Sequence, residues 1–518
     1  MRHRNFLTLV EATIAAAVLS TTALLDFYAS NIHELTNSVR VLHYAAAVVA
    51  IVAVCAGSLT LLLRLAPWRA LLATGVMAFA FCSYHEVVVL ARASGVHLGA
   101  WLPVAWTAVT LASGVLATRL LRQPGASSAL LVLSLAFASP SGLRVVTLPA
   151  SEHQAQTASS EPEAPVAGRR MSPNIYWIVL DGYPRADVLR EEFSFDNSDF
   201  IRSLTLLGFV VLDQSRSNFP ATINSISSTL NMDYTARTDG DVIEPFPLKD
   251  MYPIVRGRSR AVMGLQSAGY HYVHFENGYD YLTECDAAEP RCVRGNLGLD
   301  EFDAAILSNT PIIDLIVDWE KLRGRFQSAP FAWGGVADLT AKLDAIRKTP
   351  SPFFVYAHVL APHPPIRFRD DCSFRAAEPD LKGWSASARP AFVEQLECVN
   401  KQTLTLLQEL LQSDAGALII LQSDHGTAFR GQFEKPPTDW LETDLHERFG
   451  VLNALRLPER CRSLASPDLT LVDTFPLVFS CLTSGPFTRH SPPRFFVTPS
   501  DDSRDFGHLV EYKADLVR

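Results

Sequence analysis

The sequence contains no Walker A loop, no Gly-x-Gly-x-x-Gly fingerprint and no basic run suited to a phosphate backbone. These absences exclude the P-loop and dinucleotide routes to phosphate chemistry and give no footprint for nucleic acid. The net charge of −9 points the same way. No two cysteines stand at Cys-x-x-Cys spacing, so nothing supports a thiolate zinc site. Acidic residues are scarce in one region only. Residues 1 to about 145 are almost wholly apolar with very few acids, whereas the rest has the composition of a soluble globular protein. The averages of 48% hydrophobic and 19% charged residues conceal that split. A chain of 518 residues is too long for one ordinary core, so at least two domains are expected.

Five apolar segments stand in the first region, at about 6–27, 41–63, 70–91, 101–118 and 127–143. The first four approach the roughly 20 residues that cross a bilayer as a helix. The fifth is short and contains Pro140. Arg2, Arg4, Arg64, Arg69, Arg119 and Arg122 fall on one side of this bundle, and Arg40 and Arg92 on the other. The positive-inside rule therefore makes the N-terminus cytoplasmic. Five crossings place everything after them outside the cytoplasm, and four place it inside, so the fifth segment decides the compartment. His85 and Glu86 lie in the third segment beside Tyr84, a grouping expected at the membrane interface.

Residues 146–172 are polar and rich in Pro, Ala and Ser, as in a flexible tether. The soluble part runs over 173–518. It carries Cys285, Cys292, Cys372, Cys398, Cys461 and Cys481. An even number fits an oxidising compartment, with Cys285–Cys292, Cys372–Cys398 and Cys461–Cys481 as the expected local pairs.

Apolar runs alternate with helix-period stretches through this part, which predicts a mostly parallel central sheet with helices on both faces, an α/β class. Asn174–Leu180 reads as a central strand that stops at Asp181-Gly182. Helix 197–206 and a strand at 208–213 follow. From Ala221 on, Ile223, Ile226 and Leu230 share one helix face, and Pro220 suits the entry. Thr222 then lies in the first turn, either as a cap or as a hydroxyl poised for chemistry. Helix 258–268 leads to a strand at 271–275, residues 300–348 look largely helical, and the strand Pro352–His358 delivers His358. The proline-flanked turn after it delivers His363. A long helix over 390–412 precedes the run Ala417–Ile420, which ends in Ser423-Asp424-His425-Gly426. Asp424 and His425 offer one oxygen and one nitrogen to a divalent metal, and Gly426 lets the backbone turn away. Residues 447–455 read as a further buried strand and 470–483 as a closing helix.

In open α/β sheets, ligands collect at the carboxyl ends of strands. An acid, a hydroxyl at a helix start and an Asp-His pair occur here in that order, together with Pro362–Pro365. This constellation resembles the sulfatase-like branch of the alkaline phosphatase superfamily over about 172–485. Membrane-anchored members such as lipoteichoic acid synthases and phosphoethanolamine transferases are similar in overall plan. The resemblance implies that Asp181, Thr222, Asp424 and His425 hold one divalent metal ion (Mn, Zn, Mg or Ca). It also implies that Thr222 is the nucleophile, that a covalent ester forms on Thr222, and that His363, with His358, steadies the substrate. His446 is a further candidate for a late histidine. The Cys/Ser-x-Pro-x-Arg motif of true sulfatases is missing, and Asn218–Thr222 stands in its place. No Asp-x-x-x-His precedes Asp424 to supply a second metal.

The expected protein is thus an integral inner-membrane protein with an extracytoplasmic metal-dependent hydrolase or transferase domain. Its expected substrate is a membrane lipid or envelope glycan carrying a phosphoryl-type group. The alternatives are a sulfuric ester hydrolase and a catalytically idle envelope-binding domain.

Overall fold

The structure is a computed structural model. It describes residues 2–31, 38–93, 101–123, 125–147, 172–240, 242–276, 291–295, 335–373, 383–499 and 508–517, with a few positions between 303 and 315. The tether lies almost entirely outside them. The chain divides into two compact units, Met1–Gln154 with Glu301–Phe326, and Ala155–Asp300 with Gln327–Arg518.

The first unit holds helices α1 (Arg2–Asn31), α2 (Ser38–Leu63), α3 (Pro67–Cys82), α4 (Tyr84–Ala93), α5 (Trp101–Leu120) and α6 (Gly125–Thr147). Among the described residues, four stretches are long and apolar enough to cross a membrane: Phe6–Ser30, Val39–Leu63, Trp101–Leu120 and Gly125–Val146. The expected third span is instead broken at Ser83 into α3 and α4. Tyr84 N–H leaves the helical ladder there to bond Asn309 O at 3.1 Å. His85 and Glu86, just past the break, are exposed, while Tyr84 is buried. The expected fifth segment proves longer than its apolar run, because α6 continues through Pro140 to Thr147.

Side chains fix the directions of these helices. Glu11 Oε2 accepts from Ser127 at 2.6 Å and Ser128 at 2.8 Å, and Asp26 Oδ1 accepts from Ser141 at 2.7 Å. Early α1 thus meets early α6 and late α1 meets late α6, so the two run in the same sense. Arg69 bonds Thr118 O, and Trp106 Nε1 donates to Ala80 O at 2.8 Å, so α3 and α5 run in opposite senses. A piece of the region read as soluble belongs to this unit. Asp303 accepts from Arg40 at 2.9 Å and from Tyr44 at 2.6 Å, and Ile306 packs with Leu24 and Val41.

The second unit is built on strands β1 (Ile175–Leu180), β2 (Val210–Val211), β3 (Ala236–Asp239), β4 (Val242–Pro245), β5 (His271–Glu276), β6 (Cys292–Arg294), β7 (Phe353–Val359), β8 (Leu418–Gln422), β9 (Asn453–Arg456), β10 (Phe495–Val497) and β11 (Val510–Tyr512). Seven form one sheet in the order β2-β9-β8-β1-β7-β5-β6. β6, β5, β7, β1 and β8 run parallel, β9 runs antiparallel to β8, and β2 antiparallel to β9. The sheet is therefore mostly parallel, as the alternation of runs implies. β1 is buried on both faces. Tyr176, Ile178 and Leu180 enter one apolar core, and Ile175, Trp177 and Val179 enter the other.

Several boundaries differ from expectation. The strand at 208–213 shrinks to β2. Residues 447–449 are helical, because Glu442–Phe449 forms a helix whose first turn is closed by Asp444 accepting from Leu441 N–H at 2.9 Å. Strand β9 begins only at Asn453. The helix Thr474–Thr483 does not close the fold, since the β10–β11 hairpin follows it. Disulfides join Cys372 to Cys398 and Cys461 to Cys481. Cys292 is also disulfide-bonded, but Cys285 lies outside the described residues.

Candidate active site and metal centre

Sheet register brings the acids together. Val179 of β1 pairs with His358 of β7 on one side and with Gln422 of β8 on the other. Asp181 and Asp424 each stand two residues beyond those paired positions, so parallel strands deliver both carboxylates to the same sheet edge. Gly182 follows at φ +68°, and its N–H donates to Asp424 Oδ1 at 3.2 Å. Both acids are buried.

Thr222 joins them from the helix Thr222–Asn231. Ala221, not Thr222, holds the cap position, and no side chain caps this helix. The hydroxyl is thereby released from the capping role open to it in the sequence. It lies 3.0 Å from His425 Nε2. The same nitrogen is 3.4 Å from Asp181 Oδ1 and 3.5 Å from Asp424 Oδ2. His425 Nδ1 lies 2.9 Å from Gly426 O. A carbonyl can only accept, so Nδ1 carries the proton and Nε2 presents its lone pair to the cluster.

The electrostatics suit a cation. Burial, and then the neighbouring Asp181 charge, push Asp424 up to about 7. Burial, followed by Arg448 and His363, holds His425 well below the usual imidazole range, so it is neutral. Two facing buried carboxylates with a neutral imidazole nitrogen form the donor set that a divalent ion neutralises. Two trios sharing Asp181 each have their donor atoms within 4.8 Å of one another: Asp181, His363, His425 and Asp181, His358, Asp424. The residues present therefore fit a metal.

The histidines divide. His363 is half-buried and its ring lies 5.7 Å from that of His425. Its Nδ1 faces Pro364 O at 2.6 Å, which leaves Nε2 as its other functional nitrogen. His358 is fully buried, with Nε2 at 3.2 Å from Asp181 Oδ2, and burial lowers its pKa to about 4. His446 faces Glu191 at 3.3 Å and Asp187 at 3.8 Å on helix α7 (Ala186–Phe193), because its helix turns it away from the sheet edge.

The sulfatase family model matches residues 173–452, more than half of the chain. The chain belongs to the sulfatase family. Membership makes it a sulfatase-like phosphoester or sulfoester hydrolase or transferase. Among solved structures it is similar to the C-terminal periplasmic domain of EptC from Escherichia coli, at 10% identity and a TM-score of 0.42, covering 67% of this chain and 94% of that one. It is also similar to the integral membrane lipooligosaccharide phosphoethanolamine transferase A from Neisseria meningitidis, at 11% identity and a TM-score of 0.41, covering 93% and 95%. The phosphonate monoester hydrolase of Agrobacterium radiobacter is a further neighbour, at 13% and 0.37, covering 63% and 80%. No curated protein matches the chain.

Sequence reasoning missed the residues that hold this sulfatase-family site in shape. Arg448 is fully buried, and its guanidinium donates to Pro220 O through Nε at 2.8 Å and through Nη2. It also donates to Gly426 O through Nη1 at 2.8 Å. One side chain thus ties the loop entering Thr222 to the loop leaving His425. Buried Glu447 beside it accepts from Thr427 Oγ1 and Phe429 N–H, both at 2.8 Å. Ser225 Oγ donates to Asp424 O at 2.6 Å. A buried Arg beside a buried Glu was legible as an anomaly of composition, but its partners were not. Gly426 also has a different reason from the one expected. A Cβ there would lie 2.2 Å from Glu447 O, so the position requires close approach of two backbones, not a left-handed turn.

Proposed function

We propose that this protein is a membrane-anchored, metal-dependent transferase or hydrolase that moves a phosphoryl-type group from a lipid or envelope substrate, with Thr222 as nucleophile. The observation that carries the reading is the 3.0 Å approach of Thr222 Oγ1 to His425 Nε2 inside a ring of two buried carboxylates. Asp181, Thr222, Asp424 and His425 would hold the divalent ion. When bound, such an ion lowers the pKa of a coordinated hydroxyl and offsets negative charge on the group transferred. Thr222 gives its hydroxyl proton to solvent, Oγ1 attacks phosphorus, and the bond from phosphorus to the leaving oxygen breaks. His363 in its protonated form donates from Nε2 to that oxygen. Water or an acceptor alcohol releases the ester from Thr222, giving up its proton to His363. His358 acts on Asp181 rather than on substrate.

Helix direction supports the extracytoplasmic reading. The arginines make the start of α1 cytoplasmic. A last span that runs in the same sense as the first is what an odd number of crossings gives, which supports an outward-facing catalytic unit. The expected disulfides suit that side. Segments in the membrane keep the enzyme at a surface where lipid-linked substrates are concentrated.

The test is turnover of aryl phosphates against aryl sulfates by metal-stripped protein with Mn, Zn, Mg or Ca restored. The expected result is metal-restored cleavage of the phosphate ester, loss in Thr222→Ala, and a phosphorylated Thr222 peptide by mass spectrometry. Preferential cleavage of the sulfate would establish the sulfuric ester hydrolase. Full retention of activity by Thr222→Ala would eliminate the nucleophile.

A further inference from the structure

We propose that Gln395 is a positioning residue that acts through His363; the inference rests on the substrate role given to His363 above. The turn that carries His363 fastens itself only in part, through His363 N–H to Leu360 O at 2.9 Å. Pro362, Pro364 and Pro365 have no N–H to give, so none of these three positions can add a backbone bond to it. Further fastening comes from the long helix Arg389–Ser413. Gln395, buried at 1% exposure, donates Nε2–H to Pro362 O at 2.8 Å. Its Oε1 accepts from Arg367 N–H at 2.6 Å and from Phe368 N–H at 3.2 Å. A single amide therefore closes the turn from both ends, one residue before His363 and again after the prolines.

The same helix holds the rest of the loop at three-residue steps, which keep successive side chains on one face. Cys398 carries the disulfide to Cys372, and Lys401 Nζ donates to Asp370 O at 2.6 Å. Inside this frame His363 N–H bonds Asp181 O at 3.0 Å, and the imidazole is set between Trp384, at 4.7 Å, and His425. The side chain at 395 must be a donor and an acceptor on a two-carbon stem. Glutamate lacks the donor and buries a charge, asparagine is too short, and methionine offers neither group.

The experiment compares full-length wild type, Gln395→Met, Gln395→Glu, His363→Ala and Gln395→Met/His363→Ala, all in detergent. Gln395→Met is expected to lower kcat by about 10- to 100-fold, as misplacement of a reacting group does. Bound metal per chain is expected to stay at the wild-type level, because Gln395 touches none of the four proposed ligands. The double variant is expected to be no slower than His363→Ala alone. Wild-type kcat in Gln395→Met, or losses that multiply in the double variant, would overturn the proposal. Gln395→Glu keeps the acceptor half and serves where Gln395→Met does not fold. A second readout needs no turnover: carbethoxylation of His363, followed by peptide mass spectrometry, is expected to change in rate in both Gln395 variants. If wild type cleaves neither ester, the functional reading fails by itself. An unchanged carbethoxylation rate then rejects the Gln395 assignment separately.

Discussion

Replacing Arg448 by methionine tests whether one buried cation holds the two halves of the site together. The substitution keeps an unbranched stem and removes three N–H donors from Pro220 O and Gly426 O. Hydrogen bonds from a charged donor contribute about 1.5–3 kcal/mol each. The three belong to one group, however, and removing it relieves the cost of burying its charge. Pro220 O loses both bonds from the guanidinium, while Gly426 O keeps its bond from His425 Nδ1. The expected loss is therefore about 3–5 kcal/mol, the range for breaking a buried charged contact. The local effect is larger than the global one, because Pro220 is two residues from Thr222 and Gly426 adjoins His425. A displacement of about 1 Å between nucleophile and ligand lowers kcat/KM by roughly 100-fold. Arg448→Lys should not rescue, since a single ammonium cannot reproduce the forked grip on two carbonyls. The assays are urea unfolding followed by tryptophan fluorescence, and aryl phosphate turnover at saturating metal. An Arg448→Met protein within about 1 kcal/mol of wild type and with undiminished turnover would refute the reasoning.

Gly426→Ala should be at least as damaging, because its methyl would meet Glu447 O at 2.2 Å. Overpacking costs about 1–3 kcal/mol or more, and the unfolding midpoint and turnover should both fall. In metal-stripped protein, Asp424 titrates near 7 against an ordinary 3.8, so the folded state binds its proton more tightly than the unfolded chain. Stability should then fall as pH rises from about 4 to 7 and level off above. Asp424→Asn should flatten that profile in a thermal melt with chelator, and an unchanged profile would contradict the proposed pairing of carboxylates. Restored divalent metal should raise the melting temperature more at pH 8 than at pH 5, because only ionised carboxylates bind it well. Opening Cys372–Cys398, which closes a loop of 26 residues, should cost about 3–4 kcal/mol on the chain-entropy account, read as a urea midpoint in Cys372→Ser/Cys398→Ser.

The fold class and the chain positions of Asp181, Asp424 and His425 were legible because each follows a short apolar run. Such a run has one stable use, a strand buried on both faces, and a carboxylate directly after it must lie at the sheet edge. Thr222 was legible as a helix start for the same local reason. Boundaries failed where local pattern and tertiary demand diverge. Residues 447–449 are apolar and charged in a way that serves a strand or a helix, and the cap from Asp444 decided for the helix. The span ending near 91 looked continuous because hydropathy does not record a backbone N–H taken by Asn309. Pro140 looked like a terminator, yet α6 runs past it, packed along α1.

By itself, the sequence determined which segments are buried, which of them end in ligand-type residues, and that an apolar stretch of about 145 residues comes first. These are properties of neighbouring residues, and burial periodicity is written locally. Only the tertiary structure decided that Thr222 meets His425 across 203 residues of chain, that His446 turns away to α7, and that Arg448 and Gln395 bond the backbone beside Thr222, His425 and His363. Those outcomes follow from strand register and helix docking, where many distant contacts must be satisfied together, and no single stretch of sequence contains that sum.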